Sequence, residues 1–282
     1  MEKLKAYWLD FLQEERGEES WWDKKKACCE KRGAKIVRVE GKGHLFRKFR
    51  YDSETMYEYR LHFSYLTKQK DKLYLEEEVI PYTFKMEKGS IVEHKKGSIP
   101  KVKSPLSIAP NANRASNQER MRFTYDRLAA VQYAERWWNS YNPNFRKFDV
   151  DCTNYISQCL LAGGAPMRGA PVRERGWWYN QDSWSFSWAV AHSMRWYLSG
   201  STDGLQGKEV ISAEELEPGD IICYDFQGNG RWDHNTIVVT KDAAGMPLVN
   251  AHTDNSRNRY WSYEDSTAWT PNIQYKFFRI GS

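Results

Sequence analysis

A proline-rich stretch divides this sequence into two parts with different residue patterns. Residues 97–115, GSIPKVKSPLSIAPNANRA, carry three prolines among small polar residues, which is typical of a linker. Apolar and charged residues alternate before it, as in strands, and apolar residues recur at helical spacing after it. The chain is therefore predicted to form an N-terminal module over 1–97, a linker over 98–115 and a second domain over 116–282.

The N-terminal module is predicted to be a small α+β domain. Trp8, Phe11 and Leu12 recur at helical spacing, and the helical pattern ends at Gly33. Alternating stretches follow, with KQKDK and EKGS as turns, which predicts an antiparallel meander. No pair of acids, thiols or histidines in this module resembles a catalytic site. We expect a structural or recognition role, one form of which is a docking surface for a protein partner on residues 1–97.

The second domain is predicted to be α+β as well, with helices first and strands after them. A capping box at 116–119 precedes a long helical repeat, and further helices are expected over 149–162 and 186–198. Another capping box, at 212–215, introduces a Pro-Gly-Asp turn, and strand patterns begin at Ile221.

Composition excludes several classes of protein. Of the 282 residues, 40% are hydrophobic and 15% aromatic, which is enough for a packed core. The net charge of +5 is spread along the chain, so no nucleic-acid partner is expected. No apolar run approaches the ~20 residues of a membrane span. The N-terminus, MEKLKAYWLDFLQEERGEES, lacks the apolar stretch of a signal peptide, so a cytoplasmic location is expected unless a leader was removed.

The segment KFDVDCTNYISQCLLAGGAPM places a thiol, Cys152, where a helix begins. Unpaired N–H groups and the positive end of the helix dipole favour a thiolate there, so the pKa of Cys152 is expected to be lowered. Asp149 or Asp151 is expected to cap the helix. Cys152 is either a nucleophile or a small buried apolar residue, and Cys159 is expected in the core. With five cysteines, two of them adjacent, reduced thiols are the simplest interpretation.

A cysteine nucleophile needs a base, and His234 is the predicted one because it opens an apolar strand after a Gly-Asn-Gly turn. The next strand, PLVNAHTD, carries Asn250 and His252 on one face, and either could orient the imidazole. His192 lies within a helical pattern and is expected to be structural.

Together the motifs Asp-Cys-Thr-Asn, Ser-Gln-Cys, Pro-Gly-Asp and Asp-His, spread over Ser116 to Ile280, resemble the bacterial "Putative amidase domain" of the papain-like cysteine peptidase and amidase superfamily. The resemblance implies an α+β, papain-like fold with the cysteine helix packed on an antiparallel sheet. It also implies hydrolysis of an amide or peptide bond through a thioester, without a cofactor. Carried over to this chain, Cys152 is the nucleophile, His234 the base and His252 the orienter. Asn250 is the alternative orienter, because the papain branch uses an asparagine.

The substrate is less constrained than the mechanism. Trp177, Trp178 and Trp184 lie in a polar, glycine-containing loop, where they either line a substrate groove or pack in the core or a lid. We take them as candidate substrate contacts, and Asn154 is a further predicted contact. Relatives in the superfamily cut wall peptides, which makes a peptidoglycan-derived peptide one expected substrate. The alternative is a catalytically inactive module that binds a peptide or glycan. No metal is expected, because the calcium-like loop at 225–236 ends in threonine and zinc-type ligand spacing is absent.

Overall fold

The computed structural model describes residues 2–13, 20–52, 54–97 and 123–281. Within these ranges the chain divides into two compact units. One takes its residues from Met1–Ile99 and Tyr263–Thr267, and the other from Pro100–Ser262 and Ala268–Ser282. The assignment of 263–267 to the first unit is not indicated by the sequence pattern. No helix in the described ranges is long and apolar enough to cross a membrane.

Two of the predicted features lie outside the described residues. These are the linker at 98–115 and the capping box at 116–119. The predicted domain boundaries therefore stay a prediction.

The first unit consists of helices followed by an antiparallel meander, as the pattern predicts. Its strands pair in chain order, β1 with β2, β2 with β3 and β3 with β4. Aromatic side chains such as Trp8, Tyr59 and Phe63 are buried between the helices and the strands. The elements are α1 (Glu2–Gln13), α2 (Trp21–Lys31), β1 (Ala34–Tyr51), β2 (Glu54–Gln69), β3 (Lys72–Glu87) and β4 (Ser90–Lys96).

The second unit combines four helices with antiparallel strands in the order β9-β8-β7-β6-β10-β5, which confirms the α+β class. Its helices are α3 (Arg127–Trp137), α4 (Cys152–Ala162), α5 (Phe186–Ala189) and α6 (Ala191–Gly200). Its strands are β5 (Gly207–Val210), β6 (Ile221–Asp225), β7 (His234–Lys241), β8 (Pro247–Ala251), β9 (Asn255–Tyr260) and β10 (Gln274–Ile280).

Two helix predictions need correction and one cap is confirmed. The predicted helix over 186–198 is interrupted at Val190, whose extended backbone (φ −120°, ψ 121°) separates α5 from α6. The long helix predicted after 116–119 begins only at Arg127 in the described residues, because 123–126 are not helical and Asp126 caps α3 by accepting the Ala129 N–H at 2.9 Å. The helix predicted within 149–162 begins at Cys152, where the sequence places its start. The capping box of Ser212 with Glu215 is present and opens a short 3-10 helix, Ala213–Glu215.

Helix α4 packs its apolar side on the sheet. Ile156, Cys159 and Leu160 are fully buried in one cluster with Cys223 of β6 and Ile237 of β7, which confirms the predicted core position of Cys159. Burying each of the larger aliphatic side chains stabilises the fold by about 1.5–3 kcal/mol. This packing fixes the first turn of α4 close to the start of β7.

The aspartate of the Pro-Gly-Asp motif holds three separate segments together. The Asp220 carboxylate is fully buried and accepts hydrogen bonds from Arg127 Nη1 (2.7 Å), the Ile280 backbone N–H (2.9 Å) and the Glu217 backbone N–H (2.8 Å). Arg127 also donates to the carbonyl groups of Pro218 and Ile280. The motif therefore joins α3 to the start of β6 and the end of β10.

We predict that Asp220→Ala lowers the free energy of unfolding by about 3 kcal/mol, because removing one partner leaves buried donors unpaired. Urea denaturation followed by tryptophan fluorescence measures this change. The matched control is Glu217→Ala, since the half-exposed Glu217 side chain pairs with Lys241 at 3.3 Å and with no other described residue, and its backbone N–H is retained. Its expected cost is below about 0.5 kcal/mol. Equal losses in the two variants would contradict the role assigned to Asp220.

Candidate active site

Cys152 is the first residue of α4 and lies in the wall of a cavity of about 620 Å³. Side chains from within three stretches of chain, 148–153, 184–193 and 231–233, line this cavity together with Arg173. The Cys152 side chain is only 2% exposed. The thiol is therefore placed where a bound molecule would meet it and where bulk water is largely excluded.

Burial dominates the electrostatics of this thiol. It raises the pKa of Cys152, and the nearby charge of Asp151 adds to the effect. The Thr153 hydroxyl, 3.7 Å from the sulfur, and the backbone N–H groups of Asn235 and Thr153 act in the opposite direction. The expectation of a lowered pKa is thus wrong for the protein without substrate, because desolvation outweighs the donors at the helix start.

Asp151 occupies the N-cap position but does not bond to the helix backbone as predicted. Its Oδ1 accepts from the Phe148 N–H (2.9 Å) and from Asn154 Nδ2 (3.0 Å). Its Oδ2 lies 2.8 Å from His252 Nδ1. The carboxylate therefore ties the loop before α4 to the first turn of the helix and to the end of β8.

His252 contacts Asp151 and Trp137 and not the predicted partner, His234. Its Nδ1 faces the Asp151 carboxylate at 2.8 Å and its Nε2 donates to the Trp137 carbonyl at 2.7 Å. The ring is 2% exposed and stacks on Tyr155 at 4.0 Å. Its visible role is to hold Asp151.

The alternative orienter, Asn250, is also bound elsewhere. Its Nδ2 donates to Glu135 Oε1 (2.8 Å), and its Oδ1 accepts from the Asn258 N–H (2.9 Å). These bonds connect β8 with α3 and β9.

His234, the predicted base, is the first residue of β7 and is buried. Its ring lies 5.7 Å from the Tyr224 ring and 6.1 Å from the Phe226 ring. Burial lowers the pKa of His234 to about 4, with a contribution from the charge of Arg259. Next along the strand, Asn235 donates to Thr153 Oγ1 at 3.2 Å and so faces α4. Because side chains alternate along a strand, the ring of His234 belongs to the other face, and its role as base stays a prediction.

The histidine that lines the cavity containing Cys152 is His192 and not His234. Its Nδ1 lies 3.3 Å from the Trp232 backbone N and its Nε2 lies 3.2 Å from Trp196 Nε1. Burial lowers the pKa of His192, and the charges of Arg195 and Arg231 lower it further. The sequence pattern indicated a structural role. The break at Val190 brings His192 into the first turn of a new helix, and that break gave no clear sequence signal.

The predicted substrate contacts fall into two groups. Trp184 lines the cavity as expected. Trp177 and Trp178, in contrast, are at most 1% exposed and donate their indole N–H groups to Ser157 and to the Val172 and Arg175 carbonyls, so they pack in the interior. Asn154 is also buried, bonded to Asp151, the Arg146 carbonyl and Trp188 Nε1. Its contacts stabilise the loop and do not face the cavity.

No group of three or more His, Cys, Asp or Glu residues in the described ranges is arranged to hold a metal ion. In the loop that resembles a calcium site, the Asp225 carboxylate instead accepts the backbone N–H groups of Asn229 and Gly230 at 3.2 and 2.7 Å. These bonds close the turn before β7.

Comparison with known proteins finds a family model that covers the residues of the candidate site. The model of the family described as "Putative amidase domain" matches residues 124–278. The Bacillus subtilis (strain 168) protein named "Uncharacterized protein YhbB" is 49% identical over 264 residues, covering 92% of this chain and 85% of that protein. "Uncharacterized protein YjcM" from the same strain is 30% identical over 168 residues, covering 55% of this chain and 38% of that protein. No solved structure matches. This chain belongs to the family described as "Putative amidase domain".

Proposed function

We propose that this protein hydrolyses an amide bond with Cys152 as the nucleophile. Membership of the amidase domain family supports a hydrolase that acts on amides. The observation that supports Cys152 as the nucleophile is its position. It is the first residue of a buried helix and lies in the wall of a cavity of about 620 Å³. A helix start supplies N–H groups that stabilise negative charge, both on a thiolate and on the oxygen of a tetrahedral intermediate.

The resting thiol is expected to be protonated, because burial raises the pKa of Cys152. A preformed thiolate–imidazolium pair is therefore not the starting state. Instead a neutral base removes the proton as the sulfur attacks, and the donors from Thr153 and Asn235 stabilise the charge that develops on sulfur.

His234 is the proposed base because the family resemblance implies it, although the alternation of side chains places its ring on the face of β7 away from α4. With a pKa of about 4 it is neutral near pH 7 and can accept a proton. It directly precedes Asn235, whose backbone N–H acts on the sulfur of Cys152. His192 is the rival base because it, unlike His234, is among the residues that line the cavity of Cys152. The charge of Asp254 raises the pKa of His234, which makes Asp254 the group best suited to replace His252 as the orienter.

The reaction follows from these roles. A carbon–sulfur bond forms as the thiol proton moves to the imidazole, and the backbone N–H of Cys152 is proposed to bind the oxyanion. The imidazolium then protonates the nitrogen, the carbon–nitrogen bond breaks, and the amine leaves a thioester on Cys152. Water, deprotonated by the same imidazole, hydrolyses the thioester and restores the thiol. Peptide amides, including those derived from peptidoglycan, are the proposed substrates.

We predict that Cys152→Ala abolishes hydrolysis, with a loss of at least about 1,000-fold, because no other group replaces the nucleophile. A panel of peptide amides, with amine release measured by mass spectrometry, provides the assay. Cys159→Ala is the matched control, since Cys159 lies on the same helix and is fully buried in the core. Retained turnover in Cys152→Ala would contradict the proposal.

The second prediction concerns the pH dependence of thiol reactivity. Because the pKa of Cys152 is raised, its thiolate fraction grows only at alkaline pH. Iodoacetamide should therefore label Cys152 more slowly at pH 7 than it labels a free cysteine peptide. The pH at which the labelling rate of Cys152 is half-maximal should lie above the ordinary ~8.5. Peptide mapping by mass spectrometry follows the site separately from the other four thiols. A midpoint well below the free value would show a preformed thiolate and overturn this order of proton transfer.

The third prediction separates the two histidines. His234→Gln should lower kcat by about 100- to 10,000-fold, the usual cost of losing a general base. His192→Gln should change KM more than kcat if His192 only lines the cavity. His44→Gln, an exposed position on β1, is the control. The reverse pattern, with kcat lost only in His192→Gln, would transfer the role of base to His192.

A further inference from the structure

Two arginines, Arg173 and Arg231, line the cavity, and a third, Arg146, lies against the ring of Trp184; none of the three forms an ion pair with a described residue. The guanidinium carbons of Arg146 and Arg173 lie 5.2 and 5.3 Å from the ring of Trp184. Arg231 lines the same cavity. All three side chains are exposed, so water solvates their charges when no ligand is bound. The aromatic rings add cation–π contacts, and an anionic ligand would supply the ion pair that the described residues do not.

Arg173 is held in one orientation. Its Nε donates to the Trp184 carbonyl at 3.1 Å, and its guanidinium carbon lies 5.0 Å from the Phe186 ring as well as near Trp184. One edge of the guanidinium group is therefore occupied. The two Nη groups on its other edge have no hydrogen-bond acceptor among the described residues. A fixed pair of parallel N–H donors matches the two oxygens of a carboxylate.

The acids in the cavity wall do not fill this position. Asp233 Oδ2 accepts the Phe226 backbone N–H at 3.3 Å and so is directed towards the turn before β7, although the charge of Arg231 acts on it. Asp149 is exposed and forms no ion pair with a described arginine. The cavity thus contains a sulfur, an aromatic wall and a guanidinium donor pair.

We propose that the substrate carries a carboxylate, which Arg173 binds through its Nη groups while Arg231 adds a second positive charge. This inference rests on the proposed function, since it places the carboxylate in the cavity of Cys152. The substrate class is accordingly a peptide or acyl amide with a free carboxylate near the bond that is cleaved. Neutral amides bind more weakly because they cannot form the charge-assisted pair of hydrogen bonds with Arg173.

Binding can be tested apart from turnover in the full-length Cys152→Ala variant. The probes are acetyl-Ala-Ala with a free C-terminal carboxylate and the same dipeptide as its C-terminal amide, titrated by NMR. The free acid should bind about tenfold more tightly, as expected for a charge-assisted bidentate hydrogen bond. Adding Arg173→Gln should remove this preference, and Arg173→Lys should restore part of it. Arg175→Gln, a nearby exposed arginine outside the cavity lining, should keep it.

Two results would overturn the inference. One is equal binding of the acid and the amide. Absence of detectable binding of either probe up to about 10 mM counts as the same result. The other is an equal loss of preference in the Arg173→Gln and Arg175→Gln variants, which would indicate general charge and no site. Failure of the proposed function gives a different result. If the acid is still preferred but the unsubstituted protein hydrolyses no amide, the carboxylate site stands and only the thiol chemistry is wrong.

Discussion

The start of α4 depends on one buried carboxylate. Asp151 gathers the Phe148 N–H, the Asn154 side chain and the His252 ring around its two oxygens. Each of these groups comes from a different part of the local structure, so together they fix where the loop ends and where Cys152 begins the helix. A buried carboxylate without such partners would be strongly destabilising. The position of the thiol in the cavity wall follows from this arrangement.

The same burial that positions the sulfur also keeps it protonated. Desolvation opposes the thiolate more strongly than the Thr153 and Asn235 donors favour it. Those donors are nevertheless already oriented, so they need no reorganisation when charge develops during attack. In the proposed mechanism, the thiol stays unreactive towards solvent until a bound amide and a neutral imidazole meet it together.

Features encoded by nearby residues could be predicted from the sequence. The α+β class, the helix start at Cys152, the core position of Cys159 and the capping box of Ser212 with Glu215 all follow from local spacing. Features that depend on distant partners could not. His252 meets Asp151 across 101 residues of chain, and no periodicity indicates that pair.

The burial of individual side chains also could not be predicted from the spacing of nearby residues. Trp177 and Trp178 lie in a polar stretch, yet both are enclosed by the fold. The pKa of Cys152 was expected to fall because the helix dipole is a local property, whereas desolvation is known only once the packing is known. The break at Val190, which separates α5 from α6 and places His192 at the cavity, likewise had no signal in the local pattern.

The central claim is that acyl transfer passes through the sulfur of Cys152. Its most direct test is to incubate the protein with the amide panel, quench with acid within seconds, and search the peptide that contains Cys152 for an added acyl mass. The predicted result is a thioester on that peptide. Hydroxylamine should remove it, and peptides that carry the other cysteines should not contain it. Amide hydrolysis without any acyl adduct on Cys152, at quench times short enough to capture the first turnover, would contradict the account.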